Sequence, residues 1–350
     1  MKLNLGQPAW REALPPTRSV SSDAPVAACA FNNDGTQVAF ALGDGSVRLL
    51  PADPKAAAAA ATGATPPVHR GAVLSLVGDP IGAGFVSGGD DGRILRIALD
   101  GTATELASFK GKWVDRMVAH KANEAIAAAV GRNAVVIKDG RVHEVGPHPS
   151  TVADLDFSKD GGRIATAHYD GATVWSLANI TSPPRRFTWR GSHVALRWST
   201  DGKFIATGTQ ENDIHVWRLA QATDMRMQGY PTKVKSLSWS ADARFLYTAS
   251  QPIFTAWPFS GKGPEGKPPV QFGEEGAGLQ TVVAAHPSAE FVAAGYDTGE
   301  LQLGDIKIRR AVVLKLVDGT AITCLAWSPD GWRLAAGNDK GDLLVLDLKR

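Results

Sequence analysis

The chain has 350 residues, of which 44% are hydrophobic and 21% are charged, and its formal net charge at pH 7 is +2. This composition is typical of a folded globular protein and excludes a long disordered chain. A net charge this close to zero argues against a dedicated nucleic-acid-binding protein, which would carry a basic stripe.

The N-terminal sequence and the cysteines indicate the compartment of the protein. The N-terminal sequence Met-Lys-Leu-Asn-Leu-Gly-Gln-Pro lacks the apolar segment of a signal peptide, and no run of 18 apolar residues occurs. Two cysteines do not make a disulfide framework. We therefore expect a cytoplasmic protein without a membrane partner, and the alanine-rich, lysine-poor composition suggests a bacterial source.

One segment recurs about eight times along the chain. The residues that close the first strand of each unit lie 38 to 47 residues apart: Phe31, Gly78, Ala119, Phe157, Trp198, Trp239, Ala284 and Trp327. The residues that close the third strand follow 18 to 20 residues later: Leu50, Ile97, Ile137, Trp175, Trp217, Trp257, Gly304 and Leu346. Length varies between units but hardly within them, which predicts three strands joined by tight turns and looser connections between units.

The elements of a unit follow a fixed order. The first strand, such as Val234–Ser240, is followed by a polar turn that is often Asp-Gly, because glycine accepts the positive φ of a tight hairpin. A strand of small residues such as Phe204–Gly208, an acidic turn, and an apolar strand such as Ile214–Trp217 come next. Fourth strands are predicted between units, and their higher charge fits an exposed sheet edge: Glu105–Phe109, Arg141–Val145, Arg185–Trp189, Met225–Gln228 and Val312–Leu316.

These units resemble those of the WD-repeat β-propeller family, from about residue 14 to residue 350. The best matches are Val152–Leu177, Val194–Leu219 and Ile322–Leu348, and the closing tryptophan of the family is present as Trp175, Trp217 and Trp257. The Trp-Asp dipeptide itself is absent, and the Gly-His pair that opens a unit survives loosely as His148 or His193. The family's His–Ser–Asp–Trp hydrogen-bond network is therefore expected to be incomplete in most units.

The resemblance implies an all-β propeller that forms one domain over residues 1–350, with each unit as a four-stranded blade. Eight blades are predicted, and a seven-bladed ring, in which the divergent unit 107–140 forms no blade, is the alternative. The last unit ends on its third strand, so Thr17–Ser21 is predicted to add the fourth and close the ring. The units span roughly 22–53, 68–100, 107–140, 141–178, 185–220, 225–261, 270–307 and 311–350.

No motif in the chain indicates catalysis, a metal or a cofactor. The eight histidines lack metal-ligand spacing, the glycine clusters precede no helix, and no nucleophile elbow occurs. We therefore expect no enzyme activity and no cofactor. Cys29 and Cys324 fall in the first strands of the first and last units, which become neighbours on ring closure. They are predicted to be buried thiols, with a disulfide as the alternative.

Charged residues in the first strands predict ion pairs around a central channel. Arg116 and Asp154 occupy one column of units three and four, and Asp156 and Arg197 occupy one column of units four and five. Equal columns of adjacent inner strands lie close together, and residues two apart share a strand face. The predicted pairs are Arg116–Asp154 and Asp156–Arg197, which would fix blade to blade. The alternative is a polar channel mouth that holds a charged partner or small ligand.

Loops before the first strand and between the second and third strands carry the residue types that are enriched in protein interfaces. The predicted partner-binding residues are Trp113, Arg132, Tyr169, Tyr296 and Lys233. Packing within the ring is the alternative for Trp113, and packing on the turn is the alternative for the two tyrosines. We predict a non-catalytic scaffold for protein partners, with no nucleic acid partner, and a propeller enzyme or small-ligand binder as the alternative.

Overall fold

The regular structure of the chain consists almost entirely of antiparallel strands. The structure is a computed structural model, and it describes residue 15 and residues 17–56, 67–261 and 263–349. The strands are β1 Thr17–Ser21, β2 Val26–Phe31, β3 Gln37–Leu42, β4 Val47–Pro51, β5 Val73–Gly78, β6 Phe85–Gly89, β7 Arg93–Ile97, β8 Ala103–Ser108, β9 Val114–His120, β10 Ala125–Val130, β11 Asn133–Lys138, β12 Arg141–Val145, β13 Asp154–Phe157, β14 Arg163–Ser176, β15 Arg185–Trp198, β16 Phe204–Thr209, β17 Ile214–Arg218, β18 Thr223–Met227, β19 Leu237–Trp239, β20 Phe245–Thr248, β21 Phe254–Pro258, β22 Val270–Phe272, β23 Gln280–Ala285, β24 Phe291–Tyr296, β25 Leu301–Asp305, β26 Arg310–Lys315, β27 Ile322–Trp327, β28 Arg333–Asn338 and β29 Asp342–Asp347. One short 3₁₀ helix, Lys121–Asn123, connects β9 to β10.

The turn after the first strand of a unit is set by local chemistry. In the turn at Asp201-Gly202, the glycine has a φ of +77° and the aspartate Oδ1 accepts a hydrogen bond from the Lys203 N–H at 3.1 Å. The same arrangement closes the turns at Asp34-Gly35, Asp160-Gly161 and Asp330-Gly331. An aspartate that bonds the backbone two residues on favours a turn, so the predicted hairpins are confirmed.

The first strands of the repeat units contact one another in sequence and form a closed ring. The contacts run from β2 to β5, β9, β13, the C-terminal part of β15, β19, β23 and β27, and return from β27 to β2. Further strands follow in antiparallel order outward from this ring. The arrangement is a propeller, as the repeats predict.

Over the described residues, the strands form seven hydrogen-bonded sheets, so the prediction of eight separate four-stranded blades is wrong. Seven is the predicted alternative, but the unit at 107–140 forms a regular sheet of β9 to β12. Units four and five instead share one six-stranded sheet, because β14 and β15 each continue through a tight turn. Gly171 and Gly191 take positive φ values of 133° and 140°, which lets Tyr169 pair with Ser192 and joins the two units.

Unit one also departs from the prediction. Its described strands, β2 to β4, make a three-stranded sheet. Residues 57–66, which connect it to unit two, lie outside the described residues. A fourth strand is therefore observed in every sheet except this one.

The ring is closed by the N-terminal strand at the predicted position. Thr17–Ser21 pairs antiparallel with β29, from Thr17 opposite Leu346 to Ser21 opposite Asp342. At the same junction Cys29 and Cys324 are buried free thiols within one apolar cluster. A hydrogen bond to Cys324, together with burial, raises the pKa of the Cys29 thiol well above its ordinary value. The buried-thiol prediction is confirmed.

The small residues of the second strands allow neighbouring sheets to approach closely. A Cβ atom at Gly208 would lie 2.0 Å from the carbonyl oxygen of Val234, the residue that leads into the next unit's first strand. A Cβ at Gly337 would similarly meet the Val26 side chain at 2.4 Å, across the junction of units eight and one. Only glycine fits such contacts, and buried Ala, Val and Leu side chains fill the remaining space between sheets.

Buried polar networks stabilise several units from within. His148 Nε2 lies 2.9 Å from Thr166 Oγ1 and accepts a hydrogen bond from Trp175 Nε1 at 3.1 Å. As predicted, these hydrogen-bond networks lack members of the full His–Ser–Asp–Trp set. They nevertheless occur in units beyond the two that contain His148 and His193. His69 contacts Ser87 and Asp91 at 2.9 Å, and in unit six Tyr230 takes the place of a histidine between Thr248 and Trp257.

These buried histidines predict a loss of stability in mild acid. Burial lowers the pKa of His148 to about 4, so the folded state binds a proton there less readily than the unfolded state. Its stabilising contribution is complete above the ordinary pKa of 6.5 and is lost as the pH falls towards 4. His215 is shifted to about 4 as well, also by burial.

We expect the free energy of unfolding to fall by about 2 kcal/mol for His148 alone between about pH 7.5 and about pH 5. Urea denaturation at the two pH values measures this fall. A His148→Gln variant, less stable at about pH 7.5, should show a shallower pH dependence by that amount. An unchanged slope in the variant would contradict this assignment.

Candidate functional site

Side chains of one unit satisfy the backbone of the next around the inner ring. β13 is an edge strand whose outer neighbour is β14, and its aspartates point to β15 of unit five. Asp154 Oδ2 accepts hydrogen bonds from the Leu196 N–H and from Arg197 Nη1, both at 2.8 Å. Asp156 Oδ2 accepts from the Trp198 N–H at 2.8 Å. Two carboxylates thus take the place of a missing neighbouring strand.

Hydroxyl groups do the same at other junctions. Ser236 and Ser238 accept hydrogen bonds from the N–H groups of Val283 and Ala285, at 3.1 and 2.9 Å. Hydroxyls also donate to carbonyl oxygens of the next unit at three junctions: Ser75 to Val114, Thr281 to Ile322 and Thr323 to Val26. At these junctions the inner edges of neighbouring units are therefore linked by side chains.

The predicted ion pairs are wrong in their partners. Arg197 pairs with Asp154 at 2.8 Å and not with Asp156, because the side chains of β13 reach one residue further along β15 than equal columns predict. Arg116 is exposed and does not pair with Asp154. Its guanidinium donates to the carbonyl oxygen of Asp115 at 3.3 Å.

The channel carboxylates differ in their electrostatics. Burial raises the pKa of Asp156 to about 6, against the opposing effect of the Arg197 charge. Burial likewise raises the pKa of Asp115. Arg197 keeps 41% of its side chain exposed, so its ion pair with Asp154 is partly hydrated. The structure therefore brings together Asp154, Asp156 and Arg197 and leaves Arg116 outside the group.

Four of the five predicted partner-binding residues are exposed. Trp113 is 64% and Tyr169 is 46% accessible, and Arg132 and Lys233 are exposed as well. Packing of Trp113 within the ring, the alternative prediction, is therefore wrong.

Tyr296 is fully buried, so the prediction that it contacts a partner is wrong. It ends β24 with its ring beneath Gly276, where a Cβ would lie 2.2 Å from the ring. Its hydroxyl donates to the Pro252 carbonyl at 3.3 Å and accepts from Gln280 Nε2 at 3.1 Å. Burial raises the pKa of Tyr296 to about 12.

Loops of units three and four join to form one surface, which we call the aromatic-basic face: Lys112, Trp113, Arg132 and Tyr169. The Lys112 side chain lies over the turn at Gly131, where a Cβ would be 3.3 Å from its Cδ. Arg132 Nε donates to the His148 carbonyl at 2.8 Å, and the Tyr169 N–H donates to Ser150 Oγ at 2.8 Å. Lys233 belongs to unit six and lies outside this face.

Sequence reasoning missed a groove on the opposite side of the ring. It has a volume of about 960 Å³ and lies between turns of units four, five and six, with Arg163, Arg185 and Phe204 in its lining. The only sequence signal is the repeated basic residue beside the polar turn, at Arg163, Lys203 and Arg244. These basic residues indicate a shared groove only once the structure shows that the three turns lie side by side.

Over the described ranges, no three His, Cys, Asp or Glu side chains are grouped as metal ligands. The same residues include no helix with the length and apolar character needed to span a bilayer.

Comparison with known proteins supports the identity of the repeats. The model of the family described as WD domain, G-beta repeat, matches residues 140–177 and 183–218. The chain is similar to Autophagy-related protein 16 of Arabidopsis thaliana, with 23% identity over 287 residues that cover 78% of this chain and 55% of that protein. It is also similar to Actin-interacting protein 1 of Caenorhabditis elegans, with 29% identity over 99 residues, which are 28% of this chain and 16% of that protein. The chain thus spans at most about half of either relative.

A solved structure confirms the fold alone. The crystal structure of the computationally designed Ika8 protein superposes with a TM-score of 0.72 and covers 93% of this chain and 97% of that chain. The two sequences are 18% identical. The propeller architecture is thus shared with a protein of very different sequence.

The two inner aspartates are predicted to respond oppositely to loss of charge. Asp154→Asn removes a carboxylate that is paired with Arg197, and we expect the free energy of unfolding at about pH 7.5 to fall by about 1–2 kcal/mol. Asp156→Asn keeps an oxygen for the Trp198 N–H and removes a charge that burial disfavours. It should leave stability unchanged or raise it by about 1 kcal/mol.

The expected gain in stability of Asp156→Asn follows from the raised pKa of Asp156. The folded state binds the Asp156 proton more tightly than the unfolded state, so its contribution to stability grows as the pH falls through about 6. The advantage of Asp156→Asn should therefore vanish near pH 4. Urea denaturation of both variants at the two pH values measures these effects. A larger loss for Asp156→Asn than for Asp154→Asn would contradict the assigned pairing.

Proposed function

Because the chain is a WD-repeat β-propeller, we propose that it is a non-catalytic cytoplasmic scaffold that presents a rigid face to protein partners. The observation that carries the proposal is the exposure of Trp113, which leaves 64% of a large aromatic side chain in water. Tryptophan is among the residues most enriched in binding hot spots, where burial of its large ring by a partner contributes much of the affinity.

The surroundings of Trp113 support a protein partner. Lys112 precedes it and lies over the turn that carries Arg132, and Tyr169 supplies a second exposed aromatic ring. The hydrogen bonds of Arg132 to His148 and of Tyr169 to Ser150 hold these loops in place before binding. A preformed surface loses little conformational entropy on association, so a small number of anchors suffices for affinity.

The name of one relative is consistent with this role. Actin-interacting protein 1 is named for an interaction with another protein. That partner belongs to the relative, and for this chain only the kind of activity is proposed. A shared fold does not by itself establish a shared function. The proposal therefore rests on the exposed side chains of the aromatic-basic face.

A small-ligand site in the central channel is the second candidate function. The observation that favours it is Asp156, a channel carboxylate whose pKa burial raises to about 6 and that has no ion pair of its own. Perturbed carboxylates are enriched at binding sites. The pairing of Asp154 with Arg197 and the backbone bond of Asp156 are sufficient structural roles for both, which makes this candidate the weaker one.

Replacement of the anchors should abolish partner binding without unfolding the protein. We expect Trp113→Ala/Tyr169→Ala to lose the proteins that tagged wild type retains from a native lysate, because each exposed hot-spot residue contributes about 2 kcal/mol or more. Quantitative mass spectrometry of the bound fraction measures the loss. Both side chains are exposed, so the melting temperature should stay near that of wild type.

The control variant is Ile81→Ala/Ile308→Ala, which removes two other exposed apolar side chains on the far side of the ring. It should retain the partners. Retention by the Trp113→Ala/Tyr169→Ala variant would exclude the aromatic-basic face as the docking surface. If no partner is bound by wild type, the scaffold proposal loses its support and the channel becomes the leading candidate.

A further inference from the structure

A groove of about 960 Å³ lies on the face opposite Trp113. It is formed by the turns after the first strands and the loops after the third strands of neighbouring units. Its lining extends from Arg163 and Arg185 of unit four, through residues 201–204 and 218–221 of unit five, to residues 242–244 and 259–261 of unit six. A groove that crosses three consecutive units suits an extended ligand rather than a compact one.

The groove has an apolar floor. Phe204 and Phe259 are both buried there, with their rings in an edge-to-face arrangement and centroids 5.0 Å apart. Leu219 and Ala243 add further apolar surface at the base. A volume of about 960 Å³ is at the upper end of the range found for ligand pockets.

The walls of the groove carry five cationic side chains and two aspartates. Three of the cations already have carboxylate partners. Lys203 contacts Asp201 at 3.0 Å, Arg244 contacts Asp242 at 2.5 Å and also Glu290, and Arg218 contacts Glu265 at 3.3 Å. The paired cations contribute little net charge to a ligand.

Arg163 and Arg185 are different. Both are exposed, and neither takes part in an ion pair within the described residues. Their guanidinium carbons lie over aromatic rings instead, Arg163 at 5.1 Å from the Trp198 centroid and Arg185 at 4.6 Å from the Phe187 centroid. Such contacts hold the side chains in place while their N–H groups remain available for a bidentate bond to a carboxylate.

We propose that this groove binds an extended acidic peptide segment that carries an apolar side chain. Carboxylates of the segment bind Arg163 and Arg185, and its apolar side chain packs on Phe204 and Phe259. Asp201 and Asp242 neutralise two of the cations in the groove, so the groove lacks the row of free cations that the closely spaced phosphates of a nucleic acid require. Two unpaired cations suit a sparsely charged peptide better.

This surface is separate from the aromatic-basic face, so it does not depend on the proposed function. A propeller with both sites can hold two partners at once, one on each side of the ring. The result of a binding assay with purified protein bears on the groove alone, whatever a lysate pull-down shows for Trp113.

Fluorescence anisotropy with a short labelled peptide tests the proposal. The probe contains Glu-Asp pairs on both sides of one leucine, and reference peptides replace the acids by Gln and Asn or the leucine by serine. We expect wild type to bind the acidic probe and each reference peptide to bind more weakly. Arg163→Gln/Arg185→Gln should weaken binding roughly tenfold or more, since two charge-assisted contacts are lost.

The matched control is Lys110→Gln/Lys340→Gln, which removes the same charge from two exposed lysines that lie outside both the groove and the aromatic-basic face. It should change the affinity by no more than about twofold. Equal weakening by both variants would mean non-specific charge attraction and overturn the proposal. Absence of binding to wild type at low salt, or tighter binding of a single-stranded RNA of similar length in the same groove, would overturn it as well. Thermal melts confirm that both variants are folded.

Discussion

The free inner edge of each unit is the constraint on which the rest of this propeller depends. An edge strand leaves a row of N–H and C=O groups unpaired, which is costly in a partly buried channel and invites wrong pairing. Here the side chains of the preceding unit take up these groups. Asp154 and Asp156 serve unit five, and Ser236 and Ser238 serve unit seven. These junctions are therefore specified by side chains, and units four and five are in addition joined by the pairing of Tyr169 with Ser192.

This linkage explains why the two faces of the ring are preformed. Turns that project from neighbouring units are held at fixed separations because the inner strands below them are bonded together. On one face, this holds the loops that carry Trp113 and Tyr169, and on the other it places Arg163 beside the turns of units five and six. The functional proposals for both faces rest on rigidity from the same source.

Local features were predictable from the sequence, and features that depend on several units were not. The Asp201-Gly202 turn and the closing strand Thr17–Ser21 follow from short-range chemistry and from counting strands. The partner of Arg197 depends on a one-residue offset between neighbouring units, which sequence columns do not contain. The burial of Tyr296 depends on the loop at Gly276, which covers its ring. The joined sheet depends on backbone angles at Gly171 and Gly191, and the groove depends on three converging turns.

Amide hydrogen exchange of the inner strands tests the central claim most directly. The N–H groups of Leu196, Trp198 and Val283 have side-chain acceptors in place of a strand partner. If these bonds close the ring, their exchange requires global unfolding and is as slow as that of Ala206, which lies within β16. Exchange at the rate of an open sheet edge, while Ala206 stays protected, would contradict a ring that is closed by its side chains.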